Sequence, residues 1–134
     1  MKRLNVKNFY EFYQFPKVLV KSPKYRTMSD AAKIIYMLLL NRLTDSLMEN
    51  NIDIDSEGYV YLFFSDEELS KLTGYSVGKV LSAKRELITK RLLRQVYVPS
   101  LKETRLYVGE VELGEGEEDN NKYLEELVLW DDST

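Results

Sequence analysis

One stretch, SDEELSKLTGYSVGKVLSAKREL at residues 65–87, constrains the fold of this chain more than any other. Ser65 and Glu68 have the spacing of a capping box, in which two side chains satisfy backbone N–H groups at a helix start. Gly74 is suited to end that helix, because glycine readily adopts the left-handed conformation found just beyond helix C-termini. Ser76 then offers a cap for a second helix. The stretch therefore predicts two short helices joined by a tight turn, a helix-turn-helix.

The elements predicted on either side of this motif complete a known order. Ser29 caps a helix that runs to about Glu49, with apolar residues at helical spacing. Residues 58–64 are aromatic and β-branched and predict a short strand. Residues 94–98 and 105–111 predict a hairpin. This order is that of a winged helix-turn-helix, so we expect an α+β fold with a C-terminal β-hairpin wing.

Two segments flank this predicted domain of residues 29–108. Residues 1–28 are aromatic-rich, contain two prolines and lack a helical period, so we expect an extended arm or a short strand whose rings pack on another surface. So many rings on a chain of this size favour a partner subunit, hence a homodimer. Residues 109–134 predict a mobile acidic tail or interdomain linker, in which residues 121–130 form either a short docking helix or the start of a linker.

The charge of the chain is divided unevenly along its length. The net charge is −3, but residues 1–108 carry 18 Lys and Arg against 12 Asp and Glu, a balance of +6. Residues 109–134 carry one Lys against ten acids, a balance of −9. A basic domain followed by an acidic tail indicates that the domain binds a polyanion.

Histidine and cysteine are both absent from the sequence. Without imidazole or thiolate groups, His and Cys metal sites, Ser-His triads and most acid–base schemes near neutral pH are ruled out. Carboxylate chemistry survives that exclusion, but no two carboxylates form a convincing catalytic pair. We therefore expect no enzyme, no metal site and no cofactor. The absence of cysteine fits a cytoplasmic protein, and no apolar run approaches the ~18–20 residues that would cross a membrane.

The second helix of the motif has the composition expected of a DNA-recognition helix. Such a helix presents small or polar residues near its N-terminus to the major groove, and this one offers Ser76, Val77, Gly78, Lys79 and Ser82. Residues 77–94 contain six Lys and Arg and a single acid, Glu86, and these cations can meet phosphates. Lys102 lies at the predicted hairpin tip, where it can reach the DNA backbone or a minor groove, and Arg105 begins the second strand.

The helical spacing divides this second helix into two faces. The predicted core face consists of Val77, Val80, Leu81, Leu87, Ile88 and Leu92, and the outer face of Gly78, Lys79, Ser82, Ala83, Glu86 and Thr89. Lys84 falls within the apolar face, so we expect its stem to be packed and its ammonium group to extend to solvent. A basic helix of this kind is also compatible with a module that binds proteins and leaves its basic face solvated.

Five patches, taken in order, resemble the N-terminal domain of RepA_N plasmid replication initiators of staphylococci and related Gram-positive bacteria. They are FYQFPK (12–17), YRTMSDAAKIIYMLLLNRL (25–43), DSEGYVYLFFSDEEL (55–69), SVGKVLSAKREL (76–87) followed by LL (92–93), and TRLYV (104–108). The resemblance implies a winged-helix domain that binds repeated sites in a plasmid origin and associates with a second copy. It also implies that Ser76, Val77, Gly78, Lys79 and Ser82 face bases, with Arg85, Lys102 and Arg105 on the DNA backbone or in the minor groove.

Two features depart from the family pattern. Arg91 stands where the family often has a glycine before the wing, so we expect the helix from Val77 to extend to about Arg91. Family initiators also continue into a further C-terminal domain, which implies that this chain ends in the interdomain linker and that contacts with host replication proteins belong to the missing region. The residues themselves remain equally compatible with a winged-helix transcriptional regulator.

Overall fold

The structure is a computed structural model that describes Met1, Arg3 and residues 12–112. Nine elements follow one another in this part of the chain: α1 (Val18–Lys21), α2 (Pro23–Arg26), α3 (Asp30–Met48), β1 (Asp53–Ile54), β2 (Val60–Tyr61), α4 (Asp66–Thr73), α5 (Val77–Thr89), β3 (Leu93–Val98) and β4 (Glu103–Val108). The order from α3 onwards confirms the predicted α+β winged helix-turn-helix, in which β3 and β4 form the wing.

The strands form two antiparallel hairpins that meet at one point. In the wing, Leu93 pairs with Val108 at one end and Val98 with Glu103 at the other, and β1 pairs with β2 in the same manner. Leu62, just after β2, exchanges two 2.9 Å backbone hydrogen bonds with Leu106 of β4. The predicted strand at residues 58–64 is therefore shorter than expected, because only Val60–Tyr61 forms a ladder and the chain then turns into the cap of α4.

The predicted helix caps are all present. Ser29 Oγ accepts the N–H of Ala32, and Ser65 forms the full capping box with Glu68. The pKa of Glu68 is held below its usual value, mainly by the hydrogen bond from the Ser65 backbone and further by the nearby Arg42 guanidinium. Each of these helices therefore begins where its local sequence directs it.

A single apolar cluster lies between the helices and the wing. Its fully buried members are Leu19, Tyr25, Ala32, Ile35, Tyr36, Leu39, Leu69, Val80, Ala83, Leu87, Leu92 and Leu106. Helix α3 packs against α5 and β4, and α4 packs against α5. This arrangement fixes α5 between α3, α4 and the wing.

The expectation that the chain before Ser29 is extended is wrong for residues 18–26, which form α1 and α2. Pro23 does not interrupt this segment, because it occupies the first turn of α2, where its missing N–H has no helical partner to lose. Leu19 and Tyr25 are fully buried in the core of their own chain. Tyr25 thus does not need a partner subunit to cover its ring.

The chain after the wing is also more ordered than predicted over its first residues. The Tyr36 hydroxyl donates to the Gly109 carbonyl at 2.7 Å, and the Glu112 N–H donates to the Tyr25 hydroxyl at 2.8 Å. Glu112 also forms an ion pair with Lys24. Residues 109–112 therefore pack back on the N-terminal helices, whereas the docking helix or linker predicted at 121–130 lies outside the described residues. The division of the chain into arm, domain and tail stays a prediction.

Candidate nucleic-acid interface

Side chains and one glycine hold the turn that joins α4 to α5. Gly74 has φ +79°, in the left-handed region, as predicted for the residue that ends α4. Ser70 Oγ donates to the Tyr75 carbonyl at 2.6 Å, and Thr73 Oγ1 accepts the Tyr75 N–H at 3.1 Å. These bonds satisfy the backbone of the turn locally and so fix the angle at which α5 leaves α4.

The exposed face of α5, on the side opposite its buried residues, consists of Gly78, Ser82, Arg85 and Thr89. The Ser76 hydroxyl caps the helix by accepting the Lys79 N–H at 3.2 Å. A methyl group built on Gly78 would come no nearer than 4.0 Å to another side chain, so this position is open to a partner. Small residues at the N-terminal end of α5 leave its backbone accessible to another molecule.

The predicted division of α5 into two faces is partly wrong. Its buried residues are Val80, Ala83, Lys84 and Leu87, whereas Val77, Leu81 and Ile88 are 38–45% exposed. The helix is thus rotated relative to the apolar pattern: it buries a small alanine and a paired lysine, and three larger apolar residues lie at its surface. Val77 consequently lies on the surface, at the margin of the exposed face.

Lys84 explains why the spacing of apolar residues did not predict the buried face of α5 correctly. Its ammonium group forms an ion pair with Asp66 at the start of α4 and a 3.3 Å hydrogen bond with Gln95 of β3. The stem is packed as predicted, but the side chain is only 6% exposed and its charge does not extend to solvent. This one side chain links α5 to both α4 and the wing.

Lys79 is held by an aromatic ring from the turn. Its ammonium nitrogen lies 4.4 Å from the centroid of the Tyr75 ring, in cation–π geometry. Such contacts restrict a long side chain that would otherwise sample many rotamers. Sequence reasoning missed Tyr75, although an aromatic residue four positions before a lysine across a helix cap was a usable signal.

The carboxylate of Glu86, the single acid among residues 77–94, is hydrogen-bonded to the N-terminus of α3. Its Oε1 accepts the Ser29 N–H at 2.9 Å, and its Oε2 accepts the Ser29 hydroxyl. Glu86 thereby ties α5 to the N-terminus of α3, where a negative charge is favoured by the helix dipole. The carboxylate of Glu86 is thus engaged by α3, which leaves Arg85 as the charged member of the exposed face.

The two predicted wing residues differ in their surroundings. Lys102 is exposed at the hairpin tip, with φ +53°. Arg105 is half-buried, with its guanidinium 4.3 Å from the Tyr61 ring centroid and Nε 3.4 Å from a Glu103 oxygen. Hydrogen bonding with Tyr107 is the main cause that raises the pKa of Arg105 above its usual value. Because side chains alternate along β4 and Leu106 points into the core, Arg105 projects from the opposite face of the wing.

Six of the eight predicted site residues lie together on α5 and its cap, and the other two lie on the wing. Ser76, Val77, Gly78, Lys79, Ser82 and Arg85 share the N-terminal half of α5 and its cap, Lys102 lies at the wing tip, and Arg105 is engaged with Tyr61 and Glu103. Among the described residues, no three His, Cys, Asp or Glu side chains cluster as metal ligands, and no helix there is long and apolar enough to span a membrane.

Comparison with solved structures yields matches over nearly the whole chain. One, described as the N-terminal domain of a DNA-binding protein, superposes with a TM-score of 0.70 at 27% identity and covers 93% of this chain and 95% of its own. A second, described as a Rep–DNA complex, gives 0.69 at 27% identity over 92% and 95%. A third, described as an MDR initiator, gives 0.67 at 29% identity over 92% and 98%.

Sequence comparison identifies the family. A 41 kDa protein of Lactobacillus helveticus is 36% identical over 85 residues, which are 63% of this chain and 24% of that protein. The chain thus spans about a quarter of the length of this relative. Residues 11–122 match the RepA_N family, described as the N-terminus of replication initiator protein A (RepA). With the fold and the α4–α5 motif in agreement, this chain belongs to the RepA_N family of replication initiator N-terminal domains.

Proposed function

We propose that this chain binds double-stranded DNA sequence-specifically at repeated sites in a plasmid origin, as the N-terminal domain of a replication initiator. Its work is recognition and nucleoprotein assembly, without catalysis. The observation that carries the proposal is the exposed face of α5, where Gly78, Ser82 and Arg85 lie at the surface of a capped helix that packs against the core. A helix about 10–12 Å wide with small side chains fits the major groove.

The charges around α5 support a polyanionic partner. Lys79 and Arg85 are exposed on α5, and Lys102 is exposed at the wing tip. In the proposed complex these cations meet phosphates, Ser76 and Val77 lie at the edge of the major groove, and Lys102 reaches the backbone or minor groove beside the wing. Arg105 adds to the positive field of the wing, and a direct phosphate contact requires it to leave Tyr61 and Glu103.

Membership of the RepA_N family favours an origin-binding initiator over a transcriptional regulator or a module that only binds proteins. We propose a homodimer, supported by Tyr13 and Val20, which are 55% and 57% exposed in the N-terminal part of the described chain. Two copies would bind half-sites about 34 Å apart, one DNA turn, or a multiple of it. The proposed setting is the cytoplasm, and contacts with host replication proteins would fall to the C-terminal part of the longer initiator.

Titration of the chain against a duplex carrying the origin repeats of its own plasmid, and against a scrambled duplex, tests this function. We expect at least about a thousand-fold preference for the repeats, and an affinity that falls steeply with salt as counterions are released. Lys79→Ala should reduce the salt slope, whereas Lys71→Ala, the same change on the exposed surface of α4, serves as the matched control. Equal and weak binding to both duplexes would contradict the proposal.

A further inference from the structure

Three apolar side chains lie on the surface of α5 beside its exposed face, and two of them, Val77 and Leu81, belong to its N-terminal half. Val77 is 41% exposed and Leu81 is 38% exposed. They are four residues apart, so they are neighbours on the helix surface and form a short apolar stripe. The buried contacts of α5 come from Val80, Ala83, Lys84 and Leu87, so the core does not account for the stripe.

The stripe adjoins the residues proposed to enter the DNA groove. At about 100° per residue, Leu81 lies between the buried Lys84 and the exposed Arg85 around the helix. Gly78 and Ser82, on the other side of Arg85, are small and leave the backbone of the helix accessible. A partner that meets Arg85 on this face would therefore touch Leu81 as well.

The charges near the stripe favour nucleic acid over a protein surface as its occupant. Glu86, the one acid on α5, is bound to Ser29, and the carboxylate of Asp66 is paired with Lys84, the buried neighbour of Leu81 around the helix. What remains exposed on the N-terminal half of α5 is apolar, small or positively charged. Thymine is the base that places a methyl group in the major groove, beside a phosphate backbone that attracts the cations.

We propose that Val77 and Leu81 contact thymine methyl groups, so that each binding site carries thymines where the N-terminal half of α5 enters the major groove. The inference rests on the proposed function and adds to it the chemistry that selects the bases. Apolar contact with a methyl group is worth several-fold in affinity, since removing it exposes the side chain to water.

Replacing each thymine of the origin repeat in turn with deoxyuridine tests this inference, because uracil lacks only the methyl group and pairs identically. The wild-type chain should lose about 3- to 10-fold in affinity at one or two positions and little elsewhere. Leu81→Ala or Val77→Ala should bind the thymine and uracil duplexes equally at the corresponding position. Leu47→Ala, an exposed apolar residue at the end of α3, is the control and should retain the wild-type pattern.

The outcomes separate this inference from the function on which it rests. Preference for the repeats without sensitivity to uracil at any position would overturn the thymine contact and leave origin binding intact. Full uracil sensitivity in both alanine variants would also overturn the contact, because other residues would then touch the methyl groups. Failure of the wild-type chain to prefer the repeats over a scrambled duplex would contradict the proposed function itself. Circular dichroism of each variant confirms that α5 is still folded.

Discussion

The ammonium group of Lys84, a residue of α5, is buried and paired with the carboxylate of Asp66 at the start of α4. Because Gln95 of the wing shares the same ammonium, one charged group connects α4, α5 and β3. Buried ion pairs add little to stability compared with apolar residues of the same size, but a pair with one partner removed is costly. We therefore expect the interactions of Lys84 to contribute more to how α5 packs against α4 and β3 than to net stability.

Replacing Lys84 with methionine should lower the free energy of unfolding by about 1–3 kcal/mol, because Asp66 is left partly buried without its partner. Adding Asp66→Asn should restore most of that loss, since the unpaired charge is then gone. Urea denaturation of the two single variants and the double variant gives the coupling energy. Additive effects would show that the two groups do not act as a pair.

Replacing Gly109 with alanine should destabilise the domain by about 1–3 kcal/mol, the range expected for overpacking. A Cβ atom at Gly109 would lie 2.5 Å from the Arg91 carbonyl oxygen and 3.1 Å from Leu92 Cα, and backbone atoms cannot move aside easily. Gly78→Ala, where space is open, is the control and should leave stability unchanged or slightly higher. Equal thermal stability of the two variants would show that the backbone at Gly109 is not packed closely against Arg91 and Leu92.

Replacing Arg91 with glycine should raise the free energy of unfolding by about 0.5–1 kcal/mol, as measured in urea. Arg91 has φ +61°, and the Leu92 N–H bonds the Leu87 carbonyl at 2.8 Å, the pattern of a Schellman ending. The expected extension of α5 to Arg91 is therefore wrong: the helix ends at Thr89, and Arg91 takes a conformation that favours glycine. Arg91→Ala removes the charged side chain but keeps a Cβ atom at φ +61°, so the free energy of unfolding should not rise.

The free energy of unfolding should fall as the pH rises from about 10 to 12, and Tyr36 should contribute to the fall. Burial is the main cause that raises the pKa of Tyr36 from 10.0 to about 12. A raised pKa means that the folded state keeps the proton longer, so the stability present below pH 10 is lost with a slope approaching 1.4 kcal/mol per pH unit. In Tyr36→Phe, the free energy of unfolding, measured by denaturation at each pH, should fall less steeply between pH 10 and 12. A slope identical to that of the wild type would contradict the contribution of Tyr36.

The parts of the fold that depend on local sequence were predictable, and those that depend on distant partners were not. Ser65, Gly74 and Ser76 act within a few residues of themselves, so the helix-turn-helix followed from the sequence. Lys84 can be buried because Asp66 and Gln95 bind its ammonium group. These two partners lie 18 and 11 residues away along the chain. The order at residues 109–112 likewise depends on a hydrogen bond to Tyr25, 87 residues earlier. No periodicity in the chain encodes such contacts.

The central claim, that the exposed face of α5 selects the bases, is tested most directly by placing a bulky side chain at Ser82. Affinities of Ser82→Phe and wild type should be measured on the origin repeats and on a scrambled duplex at one salt concentration. We predict that Ser82→Phe loses at least about a hundred-fold on the repeats, the scale of two mismatched base pairs, while its weak binding to the scrambled duplex changes little. Undiminished affinity for the repeats would contradict the claim, because that face of α5 could then not lie in the groove.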